Sequence, residues 1–415
     1  MNRREALKTS FPASVAAVSV LLHGVVPGER RESGGTTSAA NTLYVHPVDG
    51  IDTNPGTLDR PLRTLGEAAR RVNRDEGSEA MTILLSEGVH VVNHTIELKP
   101  ERRSFSKTAR LSVRAQLLPG DRGWDISRMP TLIHSMPLSP TWNGRPDPLG
   151  GAANGLLIET SHVSVQGLRI LGLPLVETPR AGLKRRLYAI ARLQQQLEDL
   201  EVTQCLFAGN EVVAPIHVAV IAHGTKVNVH HCVFFGDIKD AVVYWTPDST
   251  GHSMRNCFFH GMYGSTVWTS AVANDFDYRN NVVDGANYVW IYQSGTSSQA
   301  DAAGGRAQLT APEITHRYKV LDSWFSNNRR LAGTGTGARI EYAEINPSFL
   351  QMERTKVTEQ PVAIGKDPTK WDYLHPVAGS EAANTGAGLF LKNPLPEQAR
   401  NEENPAWDKR NGVGL

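Results

Sequence analysis

The chain has little of what usually makes a function easy to read. Cysteine occurs three times in 415 residues, too sparse and too evenly spread for a disulfide framework. Lysine plus arginine (43) nearly cancels aspartate plus glutamate (42), for a formal net charge of +1. Without residues 1–40, which hold five basic and three acidic side chains, the balance becomes −1. The basic field by which proteins gather nucleic-acid phosphates is therefore missing, and no nucleic-acid partner is expected. The only long apolar run, Phe11 to Leu22, is too short to cross a bilayer, so no membrane span is expected in the mature protein. There is no His-Glu-x-x-His, no nucleophile-elbow serine and no cysteine pair at metal-binding spacing. Gly335-Thr-Gly337 has no helix signal after it and is no phosphate loop.

What is present is a repeat. Leu200-Glu-Val-Thr-Gln-Cys-Leu-Phe207 returns as Val227-Asn-Val-His-His-Cys-Val-Phe234 and as His252-Ser-Met-Arg-Asn-Cys-Phe-Phe259. It returns again as Phe276-Asp-Tyr-Arg-Asn-Asn-Val-Val283 and Tyr318-Lys-Val-Leu-Asp-Ser-Trp-Phe325, with a looser earlier copy at His162–Arg169. The sixth position reads Gly167, Cys205, Cys232, Cys257, Asn281 and Ser323. From Cys205 to Asn281 the steps are 27, 25 and 24 residues, and the step to Ser323 is one turn plus an insertion. A fixed period of this size marks a stacked-repeat architecture. Apolar residues alternate within most copies, the period of a strand. A further strand-like run follows each copy: Asp240–Trp245, Ser265–Thr269, Asn287–Tyr292. Several short strands per repeat, each pairing with its counterpart in the next, predict an all-β fold, a right-handed parallel β-helix. The sixth position then forms an inward ladder beside a turn, holding free thiols rather than a metal, and a single domain spans 41–390.

Taken in order, the chain begins Met1-Asn-Arg-Arg-Glu-Ala-Leu-Lys8 ahead of the apolar run, which predicts export by a twin-arginine-type signal to the periplasm or exterior. Residues 1–40 are read as export signal and mobile leader, and 391–415 as a C-terminal tail. Thr64 can cap a helix whose Leu65, Ala68, Ala69 and Val72 share one face, suited to plugging the open end of a solenoid. Strands are expected at 82–86, 89–92 and 95–98. Residues 119–153, 172–186 and 294–312 interrupt the pattern as long loop insertions, and insertions on repeats often collect on the binding face. Leu187–Leu193 suits a wall strand better than the amphipathic helix its spacing also permits.

Two segments carry a resemblance. Asp49-Gly-Ile-Asp-Thr-Asn-Pro-Gly-Thr57 with Pro61-Leu-Arg-Thr-Leu65 is similar to the opening segment of secreted right-handed β-helix proteins of the pectin-lyase-like superfamily. Asn346-Pro-Ser-Phe-Leu350, Asp372-Tyr-Leu-His-Pro376 and Gly379–Gly386 resemble their closing segment. The resemblance covers roughly residues 43–388 and implies fold more than reaction, since the superfamily includes polysaccharide lyases, glycoside hydrolases, esterases and non-catalytic adhesins. It implies a glycan groove along one sheet and the turns beside it. His217, Tyr244, Trp245, Trp268, Trp290 and Tyr292 map on or beside one ribbon, with Trp268 and Trp290 outward, as sugar-stacking candidates; half of these equally suit a core. His223, Asp248, His252, Asn274 and Asp275 map to the following turn, with His223, Asp248, His252 and Asp275 as candidate acids and bases. Arg255 and Arg279 share a column with His230. They are candidates to hold a uronate carboxylate, or plain members of a solvated strand face with Asp277. Calcium, common among lyases of this fold, has candidate ligands in Asp237 and Asp240, which equally suit an ordinary turn. The expected protein is an exported, monomeric polysaccharide lyase or glycoside hydrolase; the alternative is a non-catalytic carbohydrate-binding or cell-surface β-helix.

Overall fold

A computed structural model describes residues 41–139, 141–142, 145–146, 151–173, 186–210, 214–293, 314–335, 342–368 and 370–391. The segment read as an export signal, the tail beyond Leu391 and the insertion 294–312 lie outside these residues, as does most of 172–186.

Three sheets wind round one core as a parallel β-helix. Residues 42–45, 81–85, 111–115, 163–166, 198–203, 225–230, 253–255, 277–279, 318–321 and 350–353 form the first, ten-stranded sheet. The second runs 89–92, 131–134, 169–171, 206–209, 233–236, 258–260, 282–284, 324–326 and 356–358. The third runs 96–98, 152–158, 186–192, 216–222, 238–244, 265–269, 288–292 and 330–335, then 342–344, which turns back antiparallel. Residues 186–192 are a wall strand, not the amphipathic helix that the spacing of 187–193 also permits. The segment 119–153 is less of a loop than its Pro/Gly content suggests. Thr131–His134 alternates burial and takes its place in the second sheet between 89–92 and 169–171.

The repeated phrase turns out to be two strands meeting at a corner. Its opening residues lie in the first sheet and the seventh onward in the second, with the ladder position between them. The fifth holds a left-handed backbone: Gln204 (φ 52), His231 (φ 50), Asn256 (φ 53), Asn280 (φ 56), Asp322 (φ 49) and Arg354 (φ 47). Such a conformation costs a non-glycine residue about 1–2 kcal/mol. Each coil offsets this with a cross-coil bond, such as His231 N–H to the Arg255 carbonyl at 3.0 Å. Pairing of Val163 with Leu200 shifts the earliest copy by one residue: Gly167 (φ 75) takes the left-handed corner and Leu168 the ladder position.

The ladder itself is as expected. Cys205, Cys232 and Cys257 are fully buried free thiols, each pointing at carbonyls of its own and the preceding coil, as Cys232 does toward His230 (3.4 Å) and Val202 (3.6 Å). Asn281 continues the file, its amide donating to the Met254 carbonyl (2.9 Å) and accepting from Cys257 N–H (2.9 Å). Beside it Phe207, Phe234 and Phe259 stack at 4.9 and 4.8 Å, the spacing of adjacent strands.

The helix Leu65–Arg74 closes the N-terminal end. Thr64 Oγ1 accepts from the Glu67 N–H, and Leu65, Ala68, Ala69 and Val72 are buried on the first coil. The outer face of the second sheet is covered by residues from 117–129 and 362–390, with Trp124, Leu389 and Phe390 against Leu206, Val233 and Phe258. Two faces therefore remain to be explained: the polar outside of the first sheet and the outside of the third.

Candidate functional site

The proposed turn residues are each occupied separately. His252 is buried in the turn. Its Nδ1 accepts from Val227 N–H (3.2 Å) and its Nε2 lies 2.8 Å from Ser249 Oγ. Burial pushes its pKa down to about 3, so it is a neutral lock with no free nitrogen to carry a proton. His223 sits 3.3 Å from Thr246 Oγ1, and burial with the nearby Arg192 guanidinium lowers it to about 4. Asp275 closes a turn by accepting from Gly251 N–H (2.8 Å). Asp248, with a left-handed backbone and a side chain 84% exposed, has His316 Nε2 3.4 Å away. Asn274 caps Arg317 N–H at 2.9 Å. None of these contacts joins two of the four candidate acids and bases.

The aromatic ribbon divides between two sides of the wall. The register pairs Val267 with Trp290 and Trp268 with Ile291, so Trp290 faces inward and Trp268 outward. Trp290 is fully buried, stacked on Tyr318 (5.1 Å, 15°), its indole N–H on Thr269 Oγ1 (2.9 Å). Tyr292 and Tyr244 are likewise core residues. These three cannot stack on a ligand, because their cross-coil register places them in the core; the prediction of an outward Trp290 is corrected on that ground. Arg255 and Arg279 stand on the first sheet, not the third, where Asp277 accepts from Arg279 Nε (2.6 Å) and lies 3.9 Å from Arg255 Nε. This is the solvated cross-strand face, with Glu201 and His230 (3.2 Å) in the coils before it.

The outer face of the third sheet holds what remains of the ribbon and a group the motif reading missed. Trp268, Tyr188, Tyr288, Val218, Ile221, Val243 and Ile291 form a second apolar cluster there, with Trp245 and Tyr342 packed against it. His217 stands edge-on to Tyr188 at 5.4 Å, and Trp245 lies 5.5 Å from Trp268. At its centre are three polar groups. Lys239 and Asp240 are 3% and 1% exposed, with Nζ 2.5 Å from Oδ2. Tyr342, from the antiparallel last strand, places its hydroxyl 2.8 Å from both Asp240 oxygens and in hydrogen-bond contact with Lys239 Nζ. Ser265 donates its N–H (3.0 Å) and hydroxyl (2.7 Å) to Asp240 Oδ1. Burial, then Asp240, holds the Tyr342 phenol well above its ordinary pKa, so it stays protonated. The Lys239 ammonium is boxed by the rings of Tyr342 (4.8 Å) and Trp268 (5.6 Å).

Glycines make the room. A Cβ on Gly264 would meet Asp240 Oδ1 at 2.8 Å, one on Gly333 the Tyr288 ring at 2.5 Å, and one on Gly335 the Tyr342 ring at 2.9 Å. Lys239 and Tyr342 lie outside the repeated phrase, 103 residues apart, and only the antiparallel return of 342–344 brings them together. The one signal was a lysine–aspartate pair in an otherwise apolar strand, Ile238-Lys-Asp-Ala-Val-Val-Tyr244. Asp240 does not fit the calcium role considered for it. Its oxygens already face an ammonium and two hydroxyls, and among the described residues no three His, Cys, Asp or Glu side chains gather as a metal site.

No family model matches the chain, and no curated protein matches it. Among solved structures it is similar to a rhamnogalacturonan lyase, with a TM-score of 0.40 and 11% identity over 84% of this chain and 100% of that one. It is similar to the pectin methylesterase from Aspergillus niger (TM-score 0.37, 12% identity, 80% and 95% covered). A third is the GH136 lacto-N-biosidase from Eubacterium ramulus (0.36, 12%, 78% and 68%). At such scores these likenesses carry no argument about residues or reaction. The three parallel sheets do carry the fold: the chain is a parallel β-helix.

Proposed function

We propose that this chain is an exported polysaccharide-active enzyme, of lyase or hydrolase type, that takes its glycan along the outer face of the third sheet. The observation that supports this is the Lys239–Asp240–Tyr342 cluster set among outward aromatic rings. Desolvating an ion pair costs several kcal/mol per ion, and well-packed apolar residues would hold a sheet together as well or better. Ionisable groups kept in such surroundings are a mark of functional sites. Trp268 (4% exposed) and Tyr288 (5%) point outward but are packed under Tyr342, so the half-buried Trp245 beside Trp268 is the ring that can offer an apolar face to a sugar. By sequence, residues 140–150, 174–185, 211–213 and 294–313 each adjoin a third-sheet strand at one end.

The test is an assay of the purified protein against acidic and neutral polysaccharides. Ultraviolet absorbance reports unsaturated lyase products, and new reducing ends without it report hydrolysis. Activity is expected on at least one glycan and lost in Lys239→Met and Tyr342→Phe; turnover unchanged in both variants would remove the site. A non-catalytic carbohydrate-binding role has one observation in its favour: the three groups are engaged with one another. It predicts glycan retention without product. Export through the Arg3-Arg4 pair is part of the same reading, and Arg3→Lys/Arg4→Lys is expected to strand the protein in the cytoplasm.

A further inference from the structure

The two ends of the solenoid are finished differently. At the N-terminal end a helix covers the first coil. At the other, the chain crosses the core once, at Pro347–Phe349, where Asn346 caps the turn through Ser348 N–H (2.9 Å). Phe349 is fully buried against Tyr292 (5.3 Å), Tyr318 and Trp290, and so plugs the side between the third and first sheets. Among the described residues none covers the side toward the second sheet. Met352 and Val357 occupy inward columns, in register with Val320 and Phe325, yet they are 38% and 52% exposed. Next to them lies a cavity of about 500 Å³ with Phe325, Leu331, Ile345 and Val357 in its wall and Arg329, Arg330, Glu344 and Glu359 among its lining. Strands 350–353 and 356–358 are the last of their sheets among the described residues, where each has one edge without a strand partner.

We propose that this open end is covered by the same end of a second copy, giving a head-to-head dimer in solution. Two observations choose that occupant over the chain's own tail. The lining carries both signs of charge; Arg330 is paired with Glu344 of its own chain (2.8 Å), and Arg329 and Glu359 are the pair that two ends related by a twofold axis can set against each other. The opposite end is closed by its helix, which leaves one open end per chain and favours a closed pair over a filament. The chain's own C-terminal segment leads away: Val362 N–H bonds Asp284 (3.1 Å), Asn256 bonds Thr385 (3.1 Å), and Gln204 bonds Leu389 (2.9 Å). Leu391 thus lies five coils from the open end, about 24 Å at the spacing of stacked strands, a gap the residues after it are long enough to span, so removing them tests the tail as the rival cover. An apolar core patch with unpaired strand edges and a charged rim has the anatomy of an interface. The end borders the last strands of the third sheet, to which Arg330, Leu331 and Glu344 belong, but the proposal rests on the exposed Met352 and Val357 and does not need the glycan reading.

The experiment is light scattering of the full chain at micromolar concentration. Wild type is expected at twice the monomer mass, and Val357→Glu or Met352→Glu at the monomer mass with unchanged circular dichroism. Truncation after Leu391 is expected to leave the dimer intact. Should the glutamate variants fail to fold, charge exchange replaces them: Arg329→Glu and Glu359→Arg each weaken the dimer and their combination restores it. A monomeric wild type, or a dimer indifferent to every one of these changes, overturns the proposal. A monomer that dimerises only after truncation would show that the tail covers the end, and overturns it equally.

Discussion

Asp240 offers the sharpest perturbation, because its neighbours predict opposite outcomes for stability and for function. Asp240→Asn keeps the shape and an acceptor for Ser265, but strands the Lys239 ammonium at a position 3% exposed. Removing one partner of a buried ion pair costs about 3–5 kcal/mol, because the other charge remains desolvated and unpaired. Removing both charges together, in Lys239→Met/Asp240→Asn, takes away the reason for that loss, and replaced buried pairs are often neutral in stability. The double variant is therefore expected to recover most of what the single variant loses, a coupling well above the roughly 0.3–0.5 kcal/mol scatter of independent sites. Urea unfolding followed by tryptophan fluorescence measures each corner of the cycle. Glycan turnover is expected to stay absent in the double variant, separating the role of the charges from that of the fold. A loss under about 1 kcal/mol for Asp240→Asn, far below that range, would refute the buried-pair reasoning. So would a double variant no more stable than the single one.

Other outcomes follow from the same geometry. Gly333→Ala puts a methyl group 2.5 Å from the Tyr288 ring and is expected to cost about 1–3 kcal/mol and change the near-ultraviolet circular dichroism. The three ladder thiols are expected to resist alkylation until denaturant is added, and Cys232→Ser to cost no more than about 1 kcal/mol, since Ser323 already fills that position and donates to the Leu321 carbonyl at 2.8 Å. Acid should unfold the protein steeply. His252, His134 and His375 are held neutral by burial, at about 3, 4 and 4 against an ordinary 6.5. A lowered histidine pKa means full stability above the unfolded value, lost as pH falls from 6.5 toward the folded one. Each contributes up to ~1.4 kcal/mol per pH unit across that window, and His252→Gln should remove one such share of the slope.

The fold was legible because its signal is repeated. One phrase at a fixed period defined the coils, and its file of thiols matched the observed ladder. The αL corner was not, since Gln204, His231, Asn256, Asn280 and Asp322 share a conformation but no chemical type. The cross-coil bond that permits it is made by backbone and leaves no mark on composition. The site was less legible for a related reason. Alternation says which residues share a face but not which face is inside. The third-sheet strands place two successive positions inward (Ala241 and Val242, for example), which defeats a simple period of two. Trp290 fell on the wrong side for that reason, while Trp268 was placed correctly. The Lys239–Asp240–Tyr342 group needed a long-range contact made by an antiparallel strand, something a search for stacked repeats cannot supply.

The most direct check on the glycan-face reading is hydrogen exchange with and without an oligosaccharide from whichever polysaccharide the protein acts on or retains. Slowed exchange is predicted in strands 238–244, 265–269, 288–292 and 342–344, with the first sheet unchanged. Protection confined to 225–230, 253–255 and 277–279 would place the glycan on the arginine-bearing sheet and contradict the account.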